Sequence, residues 1–286
     1  MGIIVKKIKM GKHKIYKILD LLNKKRGFDF SGYRVSLLER RIQKRISGTL
    51  SKNFDDYIEY LEKYPDELDN LFDALTINVS KFFRDPLYFN YISKIIVPDL
   101  FLTNEKENEK SLRIWSAGCS FGEEPYSMAI IINELISKSK TFIPPKIFAT
   151  DIDKKALTRA AEGNYSFNSI ENVKYSIFEK YFSKVGDQFI LANEIKNNVL
   201  FSFYDLLDKN HTVPPDCIYG GFDIVLCRNV LIYFNPDYQK IIFDKLYGSL
   251  NKNGYLVLGE AEVLAEGFKD KFSRENKWCK IYKKVG

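Results

Sequence analysis

Three patterns predict an α/β fold built on a mostly parallel sheet, preceded by a small all-helical domain and carrying a small β-hairpin subdomain. Residues 13–85 place apolar side chains at helical spacing. From Leu112 onward, short apolar strands alternate with helical runs. Two short apolar segments around Gly186-Asp187 read as a tight hairpin. The expected divisions are a helical domain over 1–85, a linker over 86–111, and an α/β domain over 112–286 with an insert at about 164–200.

In the helical part, Ile15, Ile18, Leu19 and Leu22 make one apolar stripe, stopped by Gly27. Ser31 suits the N-cap of a second helix, from about Gly32 to Ile46 and closed by Gly48. Val35, Leu38, Ile42 and Ile46 form its buried face. Arg34, Arg41 and Arg45 line up beside that face, with Arg40 and Lys44 further round and Glu39 the only acid. A solvated face is the ordinary reading of such a row. A third helix runs from about Asn53 to Tyr64, ended by Pro65, and a fourth from about Asp66 to Val79.

The segment Asn78-Val-Ser-Lys-Phe-Phe-Arg84 reads as a helix end and interdomain joint, since Asn78 and Ser80 compete for backbone hydrogen bonds. A helix interrupted by Pro98 is expected over 87–102, then a polar loop over Thr103–Ser111.

The α/β part opens with a strand at Leu112–Ser116, a tight loop holding Gly118 and Gly122, and a helix from about Glu123 with Pro125 in its first turn. Glycine lets the backbone approach a ligand closely, so this unit makes a nucleotide-type pocket. The loop lacks the Lys-Ser/Thr of a phosphate cradle and sets two carboxylates, Glu123 and Glu124, at its exit. Such a pocket suits a ligand without phosphates, a cationic one among them. Pro144-Pro145 marks a loop before a second strand, Lys146–Thr150, which ends in Asp151, placed for a ribose diol. Asp151 lies 33 residues beyond Gly118, a longer spacing than dinucleotide sites use.

A helix from about Lys154 to Glu162 precedes the insert, whose own helix spans about Tyr175–Tyr181. Strands then follow at Val199–Phe203, ending near Asp205, and at Phe222–Cys227, ending in Arg228-Asn229 and leading to Tyr233-Phe234. Pro236 opens a helix to about Leu250, and strands follow at Tyr255–Gly259 and about Trp278–Lys283. Candidates at four strand ends point to one binding edge.

Composition narrows the class. Of 286 residues, 45% are hydrophobic and 15% aromatic, enough for a sizeable core. No run of about eighteen apolar residues suits a membrane span. Ile3-Ile4-Val5 is too short for a signal peptide, and Lys6 stands where myristoylation wants Ser or Thr. Cys119, Cys217, Cys227 and Cys279 contain no Cys-x-x-Cys pair, so a reduced cytoplasmic setting without a metal site is expected. Residues 1–85 hold 18 Lys and Arg against 12 Asp and Glu, so most of the net charge of +7 sits in the helical part.

Ser116-Ala-Gly-Cys-Ser-Phe-Gly-Glu-Glu-Pro-Tyr-Ser127, Thr150-Asp-Ile-Asp153 and Cys227-Arg-Asn-Val-Leu-Ile-Tyr-Phe234 resemble the CheR family, the chemotaxis receptor glutamate methyltransferases. Asn78–Arg84 is similar to that family's signature ahead of its catalytic domain, and the likeness runs from about Tyr16 to Tyr282. The resemblance implies a class I, Rossmann-like fold with an antiparallel last strand, binding S-adenosylmethionine and releasing S-adenosylhomocysteine. It implies methyl esterification of glutamates on chemoreceptor cytoplasmic helices for sensory adaptation. By position, it implies that Asn78, Ser80 and Arg84 reach the cofactor and active site, and that Gly118, Glu124 and Asp151 hold the cofactor, with Asp151 on the ribose. Asp205-Leu206 would flank the adenine, and Arg228-Asn229 would close the pocket. Ser80 stands where Thr is common, and Asp205 where other members have Asn. Arg34, Arg41 and Arg45 become receptor-recognition candidates.

A glutamate carboxylate, with an ordinary pKa of about 4.3, is already ionised near neutral pH and needs no general base. Arg84 and Arg228 can orient it by charge-assisted hydrogen bonds. Tyr233 is either a third catalytic group or a strand-end aromatic of the core. A monomer is expected. Val185-Gly-Asp-Gln188 is too tight for the longer loop with which some family members bind a receptor C-terminal peptide, so no pentapeptide tether is expected. The rivals are a nucleic-acid methyltransferase, disfavoured because no Asn/Asp-Pro-Pro-aromatic motif follows the Phe222–Cys227 strand, a methyltransferase of a non-motility signalling array, and a non-catalytic scaffold.

Overall fold

The computed structural model describes residues 2–106, 111–137, 145–217 and 221–285, with residues 2–12 and 103–106 described as backbone alone. Contacts divide it into two units. One runs to Ile77 and takes in Tyr233–Tyr238; the other comprises Asn78–Ile232 and the chain from Gln239 onward.

The first unit holds α1 (Gly2–Arg26), α2 (Val35–Gly48), α3 (Phe54–Lys63) and α4 (Asp66–Leu75). Gly27, at φ 76°, stops α1 in the left-handed conformation that favours glycine. The stripe Ile15, Ile18, Leu19 and Leu22 packs with Leu38, Ile42 and Ile46 of α2, and with residues of α3 and α4, in one core. Asn53 caps α3 by accepting from the N–H groups of Asp55 and Asp56.

Two helix limits depart from the sequence reading. Helix α2 starts three residues late and lacks the Ser31 cap, because Tyr33 and Arg34 stay extended: Tyr33 bridges Phe234 antiparallel, and Arg34 N–H donates to the Tyr233 carbonyl at 2.8 Å. Helix α4 ends at Leu75 rather than Val79. There the Thr76 hydroxyl donates to the Phe72 carbonyl, and the chain turns extended.

The second unit begins with α5 (Pro86–Tyr91), a π-helical turn (Ile92–Ile96) and α6 (Val97–Lys106). The π turn absorbs Pro98, whose ring conflicts with the carbonyl four residues back, so the helix is re-wound rather than broken. It continues through Lys106 into the expected polar loop, whose residues 107–110 lie outside the described residues, as does Pro144.

The elements that follow are β1 (Arg113–Ala117), α7 (Glu123–Ile136), β2 (Lys146–Asp151), α8 (Lys154–Glu162), β3 (Asn164–Tyr165), α9 (Phe167–Ile170) and α10 (Tyr175–Tyr181). Next come β4 (Phe182–Val185), β5 (Gln188–Leu191), α11 (Asn193–Lys196), β6 (Val199–Phe203) and β7 (Phe222–Cys227). The chain closes with α12 (Pro236–Ser249), β8 (Leu250–Leu258), β9 (Phe272–Arg274) and β10 (Ile281–Lys284).

Among the described residues the main sheet has the order β6-β2-β1-β7-β8-β10-β9, parallel except for β10, which pairs antiparallel with both β8 and β9. The last strand is antiparallel, as expected, but starts at Ile281 and not at Trp278, and it carries the unforeseen β9 on its edge. The insert forms a second sheet, β3-β5-β4, in which Gly186, at φ 59°, turns the hairpin. Strand β3, two residues long, was too short to read from periodicity. The core runs through Ile114, Met128, Ile132, Ile147, Ile224, Leu226, Val257 and Ile281, so the central strands are apolar on both faces. Among the described residues no helix is long and apolar enough to cross a membrane.

Candidate active site

Strands β6, β2, β1 and β7 are mutually parallel and end on one edge, which gathers Gly118, Asp151, Asp205 with Leu206, and Arg228 with Asn229. Backbone strain concentrates there. Of the five non-glycine residues at positive φ among the described residues, four flank this edge: Phe83 (51°), Asp85 (57°), Ser120 (52°) and Asn229 (60°). Each costs about 1 kcal/mol and persists only where the surroundings dictate it.

Asp151 ends β2 with both oxygens held. Oδ2 accepts from Ser120 N–H at 2.8 Å and Oδ1 from Asp153 N–H at 3.0 Å. Burial pushes its carboxyl up from the ordinary value, against those two donors. Lone pairs remain for a ligand's hydroxyls. Gly118 sits at φ 76°, and a Cβ there would come within 2.5 Å of Val230 Cγ2. Asp205 turns the chain after β6 by accepting from Leu207 N–H at 2.8 Å, and Leu206 is buried beside it.

The segment 78–85 is stitched along its length. Asn78 Nδ2 donates to Asp153 Oδ2 at 2.5 Å, and the hydroxyls of Ser80 and Ser169 draw the buried Glu123 carboxyl down against the burial that pushes it up. Phe82 N–H donates to the Ser169 carbonyl at 2.9 Å, its ring meets those of Tyr165 and Phe182 edge-on, and Phe83 N–H donates to Ser127 Oγ at 2.9 Å. The chain's own groups thus replace the helix that the sequence suggested.

Arg228 locks the end of this segment. Its Nη2 donates to Asp85 Oδ2 at 2.8 Å and to the Arg84 carbonyl at 3.0 Å, and its Nη1 donates to Glu124 Oε2 at 3.1 Å. The guanidinium lies over the rings of Tyr88 and Phe89, and its side chain is 2% exposed. Glu124 Oε1 accepts from Ser116 Oγ at 2.8 Å. Both terminal nitrogens of Arg228 are thus bonded to the chain's own groups, while its buried Nε has no partner. Arg84, half-buried, spends only Nη1 on the Val79 carbonyl, which leaves most of its guanidinium for a ligand.

In the helical unit the arginine row is occupied. Arg45 grips the buried Glu67 at 2.6 and 2.8 Å, Arg41 Nη1 donates to the Ala74 carbonyl at 2.7 Å, and Arg34 Nε to the Phe234 carbonyl at 3.1 Å. Burial pushes Arg41 down from its ordinary value, with Tyr233 acting the other way. Arg34 is the one exposed member of the three; Arg40 and Lys44 are exposed beside it.

Sequence reasoning missed Asp85 and Glu262 as partners of the site and read Glu123 only as a charge at the loop exit; Glu262 is recognisable only by what it touches. For Asp85 a signal existed, since it directly follows Arg84 in the motif. Cys119 and Cys227 are buried, which pushes both thiols well up and removes them as nucleophiles.

These residues fit S-adenosylmethionine. The close-approach glycine, the acid at the end of β2 and a buried Ser120 Oγ without a partner suit a sugar-bearing, cationic ligand.

Comparison with known proteins agrees. The all-alpha domain of the CheR methyltransferases matches residues 14–76, and their SAM-binding domain matches residues 78–280. A chemotaxis protein methyltransferase of Borreliella burgdorferi is 31% identical over 260 residues, covering 90% of each chain. One of Listeria innocua is 32% identical over 238 residues, covering 83% of this chain and 85% of its own. Chemotaxis protein methyltransferase 2 of Vibrio cholerae is 31% identical over 249 residues, covering 86% and 84%. With a strained, acid-lined pocket at the ends of its parallel strands and these relatives along nearly its whole length, the chain belongs to the CheR family of methyltransferases that use S-adenosylmethionine.

Proposed function

We propose that this protein transfers the methyl group of S-adenosylmethionine to glutamate carboxylates on the cytoplasmic helices of chemoreceptors. The observation that carries this reading is Arg84. Its carbonyl is held by the buried Arg228 while most of its guanidinium is left unbonded beside the cofactor edge.

The cofactor supplies a methyl group activated for displacement by its sulfonium. What the chain supplies is position. A glutamate carboxylate at neutral pH is already the nucleophile, so the task is to aim one oxygen and exclude water. One guanidinium gripping the other oxygen achieves the aim without quenching the attack. Asp151 would hold the ribose, Asp205-Leu206 the adenine, and Gly118 the close backbone approach. Asn78 would act through Asp153, to which it is bonded, and Ser80 through the buried Glu123 carboxyl, which it draws down. Tyr233 would serve as a third catalytic group.

Receptor recognition would use the charge that α2 leaves exposed: Arg34, Arg40 and Lys44. The hairpin, turned in two residues at Gly186-Asp187, leaves no long loop for a tethering peptide. Millimolar or no affinity for receptor C-terminal pentapeptides in calorimetry is expected.

The deciding experiment is incubation with methyl-labelled cofactor and purified receptor cytoplasmic domains. Base-labile label on the receptor is expected, as a carboxyl methyl ester requires. Label on RNA, or none on any receptor domain, would overturn the assignment.

A further inference from the structure

The carboxylate of Glu262 accepts four backbone N–H groups. Oε2 takes Gly259 N–H at 2.6 Å and Asn229 N–H at 2.9 Å, and Oε1 takes Val230 N–H at 2.8 Å and Leu231 N–H at 2.7 Å. The need for such an acceptor comes from the sheet. Strands β7 and β8 pair as far as Cys227 and Leu258 and then part. The amides just beyond the split have lost the ladder that would have satisfied them, and a buried N–H without a partner is costly. Glu262, itself buried, returns under the split by a turn in which its own N–H donates to the Gly259 carbonyl at 3.0 Å. It replaces the missing ladder with one side chain. The four amides form a concave nest in which a carboxylate needs no cation.

The joint leaves little room for error. A Cβ on Gly259 would meet Asn229 N at 2.7 Å and Glu262 Oε2 at 2.9 Å. Asn229 itself sits at φ 60°, in the left-handed region that few non-glycine residues adopt.

We propose that Glu262 is a positioning residue of the cofactor pocket. By gathering these four amides it holds Asn229 in its strained conformation before any ligand arrives. The proposal rests on the reading that Asn229 closes that pocket, and it is independent of which acceptor is methylated. Glu262 acts only through the backbone of Asn229, Val230 and Leu231 and touches no substrate itself.

Glu262→Gln tests it. An amide oxygen can serve two of the four donors, while the NH2 group would face the other two and repel them. Calorimetric titration with S-adenosylhomocysteine is expected to show a dissociation constant raised about tenfold or more, as loss of charged hydrogen bonds implies. Leu246→Ala, a cavity in α12, serves as a control for lowered stability, with affinity for S-adenosylhomocysteine expected within about twofold of the parent. Gly259→Ala strikes the same joint from the other side and is expected to weaken binding as Glu262→Gln does; it decides the matter if Glu262→Gln fails to fold. Parental affinity in Glu262→Gln, or in Gly259→Ala where only that variant folds, would overturn the proposal. So would a loss in Leu246→Ala as large as theirs. Because no methyl acceptor enters the titration, failure here leaves the receptor-glutamate reading standing.

Discussion

Arg228 and Asp85 form an ion pair at 2.8 Å, across 143 positions of sequence, with Arg228 also bonded to Glu124 and to the carbonyl of Arg84. One buried guanidinium thus fastens the end of β7, the start of α7 and the segment that carries Arg84. The backbone of Arg84, the residue proposed to align the substrate, is thus held by a second arginine.

Arg228→Ala is expected to destabilise the protein by about 3 kcal/mol, since it strands two carboxylates beside a low-dielectric core. Arg228→Lys should recover little, because one ammonium cannot span Glu124, Asp85 and a carbonyl together. Urea denaturation measures both, and full stability in the lysine variant would show that charge alone suffices.

Arg84→Ala is expected to lower methyl transfer by about a hundredfold or more, through loss of carboxylate alignment. Affinity for S-adenosylhomocysteine should survive. Labelled-methyl assays set beside calorimetry separate the two effects; normal turnover in this variant would remove Arg84 from the mechanism.

Glu67 gives the helical unit an acid limit. Burial pushes its carboxyl up, but hydrogen bonds from Arg45, Tyr57 and Asn70 outweigh that and hold it below its ordinary value. A carboxylate depressed on folding contributes stability above its unfolded pKa of about 4.3 and loses it as pH falls through the lower folded value. Arg45→Ala is expected to cost about 2 kcal/mol near neutral pH and to flatten this acid-side loss. Thermal melts from neutral to acid pH test both parts; an equally steep acid loss in the variant would contradict the account.

Recognition and stability separate on α2. Reversing the exposed pair, Arg40→Glu with Lys44→Glu, is expected to slow receptor methylation at low ionic strength and to matter less in high salt, with little change in Tm. Arg45→Glu should instead lower Tm, because it opposes the buried Glu67. Unchanged methylation at low salt in the double reversal would remove this surface from recognition.

Much of this was legible in one dimension. The stripe Ile15-Ile18-Leu19-Leu22, the runs Lys146–Asp151 and Phe222–Cys227, and the helix from Glu123 with Pro125 in its first turn lie where periodicity and turn chemistry put them. The same holds for the gathering of Gly118, Asp151, Asp205 and Arg228 on one edge. It follows from parallel strands, whose carboxyl ends must face one way.

Other features were beyond local pattern. Helix α2 starts at Val35 because Tyr33 pairs with Phe234, two hundred and one positions away, and no cap residue records that. Glu262 reads as one acid among many until β7 and β8 part and leave four amides to it.

The basic row marks the boundary between the two kinds of knowledge. Spacing alone determined that Arg41 and Arg45 share a side of one helix, because the helical repeat is a local property, whereas Arg34 stays extended ahead of it. Only tertiary structure decided that Arg45 is spent on Glu67 and Arg41 on the Ala74 carbonyl, while Arg40 and Lys44 keep their charge for solvent. The strand, glycine loop and helix that begin the α/β part divide in the same way. The loop and its acids determined the class of ligand. That Glu124 pairs with Arg228 was decided by strand ends brought together from distant sequence, where a buried charge must find its nearest opposite.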